Sequence, residues 1–308
     1  MYADDVQIYA PINAKHHDEF SRITSACLDE VVDWYESNGL ALNACKSSAI
    51  LFGTMQKLTS LKNAGFHSIS LKNSTISIEE SIRILGVTLD STLSLHAHVR
   101  EVSRACFYYL SALRHIRSSL DDDLAKLIGS CIVGSRLDYA NALYSATSAI
   151  NISMLESVQN ALARTITYNQ PRMRSSFLLL HHLHWLPVRE RIIYKNALIA
   201  HKTLYSSQPA YLANTVRWQS AVRSRRTHLQ NLLVLPTSKL AMHEKSFSLA
   251  APRAWNSLTA SLRTQSALEQ FKRDLKTYTL ICNSLCSSVT TLPFCTFGLP
   301  QQIRRIKN

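Results

Sequence analysis

The seven cysteines of this 308-residue chain include no pair at CxxC spacing, and their number is odd. Cys282, Cys286 and Cys295 come closest together, but no histidine follows them, so a zinc site is not expected and reduced thiols are the reading. A basic leader followed by an apolar stretch is also missing. Asp4 and Asp5 stand where a secretion signal would need it. The uncharged stretch from Thr277 to Ile303 is long enough for a bilayer, but Asn283, Pro293, Pro300 and many hydroxyl residues interrupt it, so it is not read as a membrane span. Internal repeats and low-complexity blocks are absent too. The expected setting is intracellular, in cytoplasm or nucleus, with no membrane partner.

What is present is enough apolar material for a core, 46% hydrophobic residues, which excludes wholesale disorder. The formal net charge is +13, unevenly spread. Residues 1–60 carry four Lys and Arg against eight Asp and Glu, a formal −4, and the rest of the chain carries +17. A small acidic front on a long basic body points to a polyanionic partner, with nucleic acid favoured over an anionic membrane.

The chain divides into an α+β front and a helical remainder. Phe20, Ile23, Cys27, Val31, Trp34 and Tyr35 recur at helical spacing, and Asn38-Gly39 supplies a stop. Strand-like runs follow at Leu40–Asn43 and 49–53. ISLKNSTISI reads as a hairpin around Lys72-Asn73-Ser74. IRILGVTLD (82–90) reads as one strand, with Gly86 marking a bulge or a close backbone approach. Beyond about residue 94 the expected helices are 95–117, 121–136, 151–168, 189–205 and 266–280. Trp218–Pro236 is basic and irregular, with RSRR at 223–226.

Two adjacent acids between short apolar runs open the chain, in MYADDVQIYA. Adjacent carboxylates suit the tip of a hairpin joining Met1–Ala3 to Val6–Ala10. Such a tip is either an inert acidic turn or a place that offers carboxylates to a divalent metal. Of the other chemistry-bearing residues, His96 and His98 and the cluster His181, His182 and His184 sit on apolar-flanked segments and are read as packed or capping residues rather than zinc ligands. Trp185, Trp218 and Trp255 could stack on bases, but core packing is the stronger reading. Arg114, Arg117, Arg172, Arg174 and the RSRR residues Arg223, Arg225 and Arg226 are read, as a group, as phosphate contacts.

MYADDVQIYA resembles the aromatic-x-Asp-Asp hairpin of the reverse transcriptases of LINE-type non-LTR retrotransposons. GLALNACKSSAILFGT (39–54) is similar to the next block of that palm, with Asn43 and Lys46 three residues apart. ILGVTLDSTLSLHAHV (84–99) is similar to the primer-grip hairpin and the entry to the thumb. LHWLPVRERIIYKNALIAHKTLY (183–205) and FSLAAPRAWNSLTASLR (247–263) resemble the C-terminal region of the same elements.

The resemblance implies an α+β fold: a partial reverse-transcriptase palm of antiparallel hairpins and a helix over 1–92, then a mainly α-helical thumb over 93–180. A basic helical C-terminal region over 181–280 completes it, and the tail at 281–308 falls outside the resemblance. It implies RNA-directed DNA polymerisation with an RNA template, a DNA primer and deoxynucleoside triphosphates. The chemistry would use two Mg²⁺ ions about 4 Å apart. Asp4 would be the main metal carboxylate and Asp5 its helper, and Tyr2 would pack near the primer terminus. Lys46 would neutralise or protonate the departing pyrophosphate, and Asn43 would hold the same turn by hydrogen bonds. Gly86 would let backbone approach the primer.

The same resemblance requires a third carboxylate on a strand preceding the hairpin, and fingers for the nucleotide, neither of which has a counterpart in the sequence. Whether this chain is an enzyme is therefore open, and alone it is expected not to polymerise. The alternatives are a non-catalytic nucleic-acid-binding fragment and a degenerate genomic remnant.

Overall fold

The computed structural model describes residues 6–12, 17–72, 74–167, 175–219, 231–237 and 242–287, with the helical backbone alone for 17–18 and 282–287. The fold is mixed α+β and mostly helical. Its first element is α1 (His17–Ser37). Asn38 and Gly39 end it as expected. Gly39 takes φ +70°, and Leu40 N–H returns to the Tyr35 carbonyl at 2.9 Å. The helix buries Val32 and rests Phe20 edge-on against Phe66 at 5.9 Å. Ile23, Cys27 and Trp34, which the spacing assigns to the buried stripe, face solvent instead. Val6–Ala10 forms no strand and is exposed, and Leu40–Asn43 leads into a short 3-10 turn rather than pairing. Met1–Ala3, the expected hairpin partner of Val6–Ala10, lies outside the described residues.

The sheet contains β1 (Ala49–Ile50), β2 (Ser68–Leu71) and β3 (Ser74–Glu79) in the order β1-β3-β2. Between β1 and β2 lies α2 (Met55–Asn63), a helix the sequence reading omitted. Strands β2 and β3 are the predicted antiparallel hairpin, with Leu71 opposite Ser74. Its turn is fastened to α1 by Lys72. The Lys72 backbone N–H donates to Asp29 Oδ1 at 2.7 Å, and its ammonium donates to Asp33 at 2.8 Å and Glu36 at 2.7 Å. The hydrogen bonds it donates to these two carboxylates hold the ammonium pKa above its usual value.

The single strand predicted over 82–90 is two strands, β4 (Ser81–Ile84) and β5 (Val87–Asp90), paired antiparallel with Ile84 opposite Val87. Leu85 at φ +46° and Gly86 at φ +80° form a two-residue turn with both residues left-handed, the kind that matches strand twist. Gly86 is a turn residue, not a bulge.

Helices follow in nearly the expected places: α3 (His96–Ile116), α4 (Asp122–Gly129), α5 (Ser135–Asp138) and α6 (Ala149–Ile166). A π-helical turn, Ser130–Gly134, joins α4 to α5. Then come α7 (Ser176–His182), α8 (Val188–Ser206), α9 (Ala210–Ala213), α10 (Phe247–Asn256), α11 (Ala260–Arg263) and α12 (Leu268–Ser287).

Two apolar cores result. One gathers Val99, Cys106, Leu110, Val133, Leu155 and Leu162 with their neighbours. The other surrounds Trp255, Phe271 and Leu275. Helix α8 serves both, giving Val188 and Ile192 to the first and Ala197 and Ala200 to the second. The division between the cores thus falls inside α8. Trp255 is completely buried, with its indole N–H on the Asn231 carbonyl at 2.8 Å, so it packs and does not stack on bases. Among the described residues no helix is long and apolar enough to cross a membrane.

Candidate nucleic-acid interface

The segment leading into α3 is organised by one carboxylate. Asp90 Oδ1 accepts from Leu95 N–H at 2.7 Å, while Oδ2 accepts from Ser94 N–H at 2.9 Å and from Thr92 Oγ1 at 2.5 Å. Burial opposes ionisation of Asp90, but these donors outweigh it and hold its pKa below the ordinary value. The loop needs such a tether because Leu93 and Leu95 both take positive φ, 52° and 60°. Further ties come from distant elements. Asn151 Nδ2 and Thr147 Oγ1 donate to the Ser94 carbonyl at 3.0 and 3.1 Å. The Lys245 ammonium donates to the Thr92 and Leu93 carbonyls, both at 2.8 Å. His96 and His98 belong to the same frame: His96 Nδ1 meets Asn151 Oδ1 at 2.8 Å, and His98 Nδ1 accepts from Thr88 N–H at 3.3 Å.

This frame fixes the rotation of α3. The helix buries His98, Val99, Ser103, Cys106, Leu110 and Leu113 against α6 and its neighbours. Its opposite face presents Arg100, Arg104, Phe107, Tyr108, Arg114 and His115 to solvent. At 3.6 residues per turn these six fall within about a third of the helix circumference. Glu101 is the one acid on α3, and its carboxylate accepts from Thr88 Oγ1 at 2.8 Å. Arg100 and Arg104 have no ion-pair partner among the described residues. The sequence reading named only Arg114 on this face. Arginines spaced four apart on a helix with one acid were the signal that would have found the others.

The remaining predicted residues separate clearly. Arg114 is exposed and touches Thr165 Oγ1 at 3.3 Å. Arg117 is corrected: its side chain is buried, 3% exposed, and its donors are occupied within the chain. Its guanidinium bonds the Thr165 carbonyl at 3.2 Å and the Leu120 carbonyl at 2.7 Å, takes the Ile166 carbonyl twice and pairs with Asp122. Those carbonyls include the last ones of α6, so Arg117 caps a helix end and offers nothing to a phosphate. Gly86 turns the β4–β5 hairpin beneath Tyr139, whose hydroxyl donates to the Leu85 carbonyl at 2.5 Å. A side chain at Gly86 would lie in contact with the Tyr139 ring, 3.6–3.9 Å away.

Asn43 holds its turn as predicted, accepting from Cys45 N–H at 3.0 Å, and Lys46 closes the turn as an exposed cation. Tyr2, Asp4, Asp5, Arg172, Arg174, Arg223, Arg225 and Arg226 lie outside the described residues. The side chains of Cys282, Cys286 and Cys295 do as well. Among the described residues no three His, Cys, Asp or Glu side chains come together to hold a metal.

One cavity of about 210 Å³ lies beside the π turn, lined by Ser130, Gly134, Asp138, Gln159, Trp185 and Arg191 among others. Asp138 and Arg191 close it with two contacts of 3.0 Å, and Gln159 donates to the Leu186 carbonyl at 2.8 Å. Trp185 is thereby placed in a structural joint between α6 and α8.

No protein-family model, characterised protein or solved structure matches the chain.

Proposed function

We propose that this chain is part of an RNA-directed DNA polymerase of the non-LTR retrotransposon kind, and that α3 is where its described residues hold nucleic acid. Asp4 and Asp5 are the metal-binding carboxylates in this reading. The observation that carries it is the α3 face: three arginines and a histidine in one row, with the helix's one acid already engaged. Clustered basic residues on one helix face are the electrostatic footprint of a phosphate-backbone partner. The YADD opening and the family-like blocks support the choice of polymerase over other nucleic-acid binders.

The test uses fluorescence polarisation with an RNA template carrying a shorter DNA primer. If Arg100, Arg104 and Arg114 each neutralise one phosphate, log affinity falls with log salt at a slope of about −2 to −3. Reversing two of them, Arg100→Glu with Arg104→Glu, brings that slope closer to zero by about 1.5. Asp4→Ala leaves binding unchanged and abolishes any Mg²⁺-dependent primer extension the chain supports. Binding indifferent to salt and to the reversals overturns the α3 assignment. Extension that survives Asp4→Ala overturns the polymerase assignment.

A further inference from the structure

We infer that the α3 face takes a single-stranded stretch of nucleic acid, with bases stacking on Tyr108 and Phe107, rather than a duplex. The inference rests on the nucleic-acid reading above and specifies it. Its basis is the order of residues along the face. Arg100 and Arg104 come first, Phe107 and Tyr108 next, Arg114 and His115 last, so two aromatic rings occupy the middle of a basic row about 21 Å long.

Tyr108 is 73% exposed and Phe107 43% exposed. Single exposed apolar residues are ordinary. These two differ by standing side by side between arginines, and the Tyr108 ring is braced. It meets Tyr109 edge-on at 5.4 Å between centroids, and the Arg136 guanidinium lies 4.3 Å from the centre of the Tyr109 ring. A ring held before the ligand arrives loses less freedom on binding.

The chemistry of the partner follows from what each form of nucleic acid exposes. A duplex approaching a convex helix face offers phosphates, and an A-form duplex keeps its base faces stacked and its major groove too narrow to read. Protruding rings gain nothing there and hold the backbone away from the arginines. An unpaired strand offers base faces and phosphates alternately. Aromatic platforms flanked by cations serve that pattern, with little preference among bases.

The full chain is titrated with a short unstructured single-stranded RNA and with a blunt RNA–DNA duplex of the same length, both fluorescently labelled. Single strand is expected to bind more tightly. Tyr108→Ala is expected to weaken it roughly tenfold while changing duplex binding less than twofold. Tyr108→Trp is expected to restore or exceed the original affinity, which a merely structural role would not predict. Because Tyr108 is exposed, an unchanged melting temperature is expected to show that the fold survives. If both probes bind, respond to Arg100→Glu, and ignore Tyr108→Ala, the single-strand inference is wrong and the nucleic-acid reading stands. If neither probe binds, or if the chain binds anionic phospholipid vesicles instead, the nucleic-acid reading itself fails.

Discussion

Asp90→Ala tests whether one carboxylate sets the approach to α3. The substitution removes the acceptor for Leu95 N–H, Ser94 N–H and Thr92 Oγ1 together. A hydrogen bond to a charged group is worth about 1.5–3 kcal/mol net, and an abandoned buried donor carries its own penalty. The carboxylate is only part-buried, water can replace some of what is lost, and three bonds to one group do not add. A total near 3 kcal/mol follows, about that of one strong charged hydrogen bond and well short of the sum of three. For a chain of this size that lowers the unfolding midpoint by roughly 4–5 °C.

The assay for this effect is thermal unfolding followed by near-ultraviolet circular dichroism at neutral pH, with Asp90→Asn, which keeps one acceptor oxygen, expected between the two. The pH dependence gives a second handle. The folded pKa of Asp90 is depressed below its ordinary 3.8, so its contribution is complete above that value and is lost as pH falls through the lower folded pKa. The gap between wild type and Asp90→Ala should therefore be constant from pH 7 to about 5 and shrink below about pH 3.8. A loss under about 1 kcal/mol at pH 7, or a gap that widens in acid, would refute the reasoning.

Three other outcomes are expected. Arg117→Lys should cost about 2–4 kcal/mol in urea unfolding, because one ammonium cannot cap the Thr165, Ile166 and Leu120 carbonyls at once; an RNA affinity that drops with the stability unchanged would restore it as a phosphate contact. Gly129→Ala should destabilise by about 1–2 kcal/mol despite Ala's better helix propensity, since the new methyl would lie 2.8 Å from Leu162 Cδ1 and 3.1 Å from Ile166 Cδ1; a stabilised variant would show that α4 can shift away from α6. Burial lowers the pKa of both His98 and His201, so the unfolded chain takes up protons more readily below about pH 6.5, and stability should fall between pH 7 and 5; His201→Phe should reduce that fall, and an unchanged pH slope would exclude His201 as its source.

Much of the helical part was legible because its periodicity is strong and its stops are simple. Helices α3, α6 and α8 begin and end within two residues of where the apolar spacing puts them. The failures have physical causes. Helix α10 is masked by Pro252, which usually marks a break but here sits inside a ten-residue helix buried around Trp255. The strand predicted over 82–90 is interrupted by a turn that needs left-handed geometry from Leu85 as well as Gly86, and leucine gives no sign of it. Arg117 looks in sequence like any other arginine near a helix end. Only the position of α6's terminal carbonyls, some fifty residues later, reveals it as their cap. Helix α1 ends where Asn38-Gly39 places its stop, but its buried face was partly misassigned, because Ile23 and Trp34 fit the period and lie on the exposed side.

The family-like block at 84–99 bears differently on fold and on function once its residues are placed. Gly86 turns a hairpin under Tyr139, Asp90 ties a strained loop, and His98 accepts from the backbone of Thr88. Each of these is scaffold. A resemblance carried by scaffold residues argues that α3 is set at a particular angle, and it does not by itself argue that anything is catalysed. In the proposed reading the chemistry of polymerisation rests on Asp4 and Asp5, while the described residues contribute a helix with arginines and aromatic rings on its exposed face. The two halves of the proposal therefore fail independently. Loss of binding through Arg100 and Arg104 would remove the role of α3 and leave the aspartates untouched, whereas an inert Asp4 would leave a single-strand-binding helix whose frame is already explained.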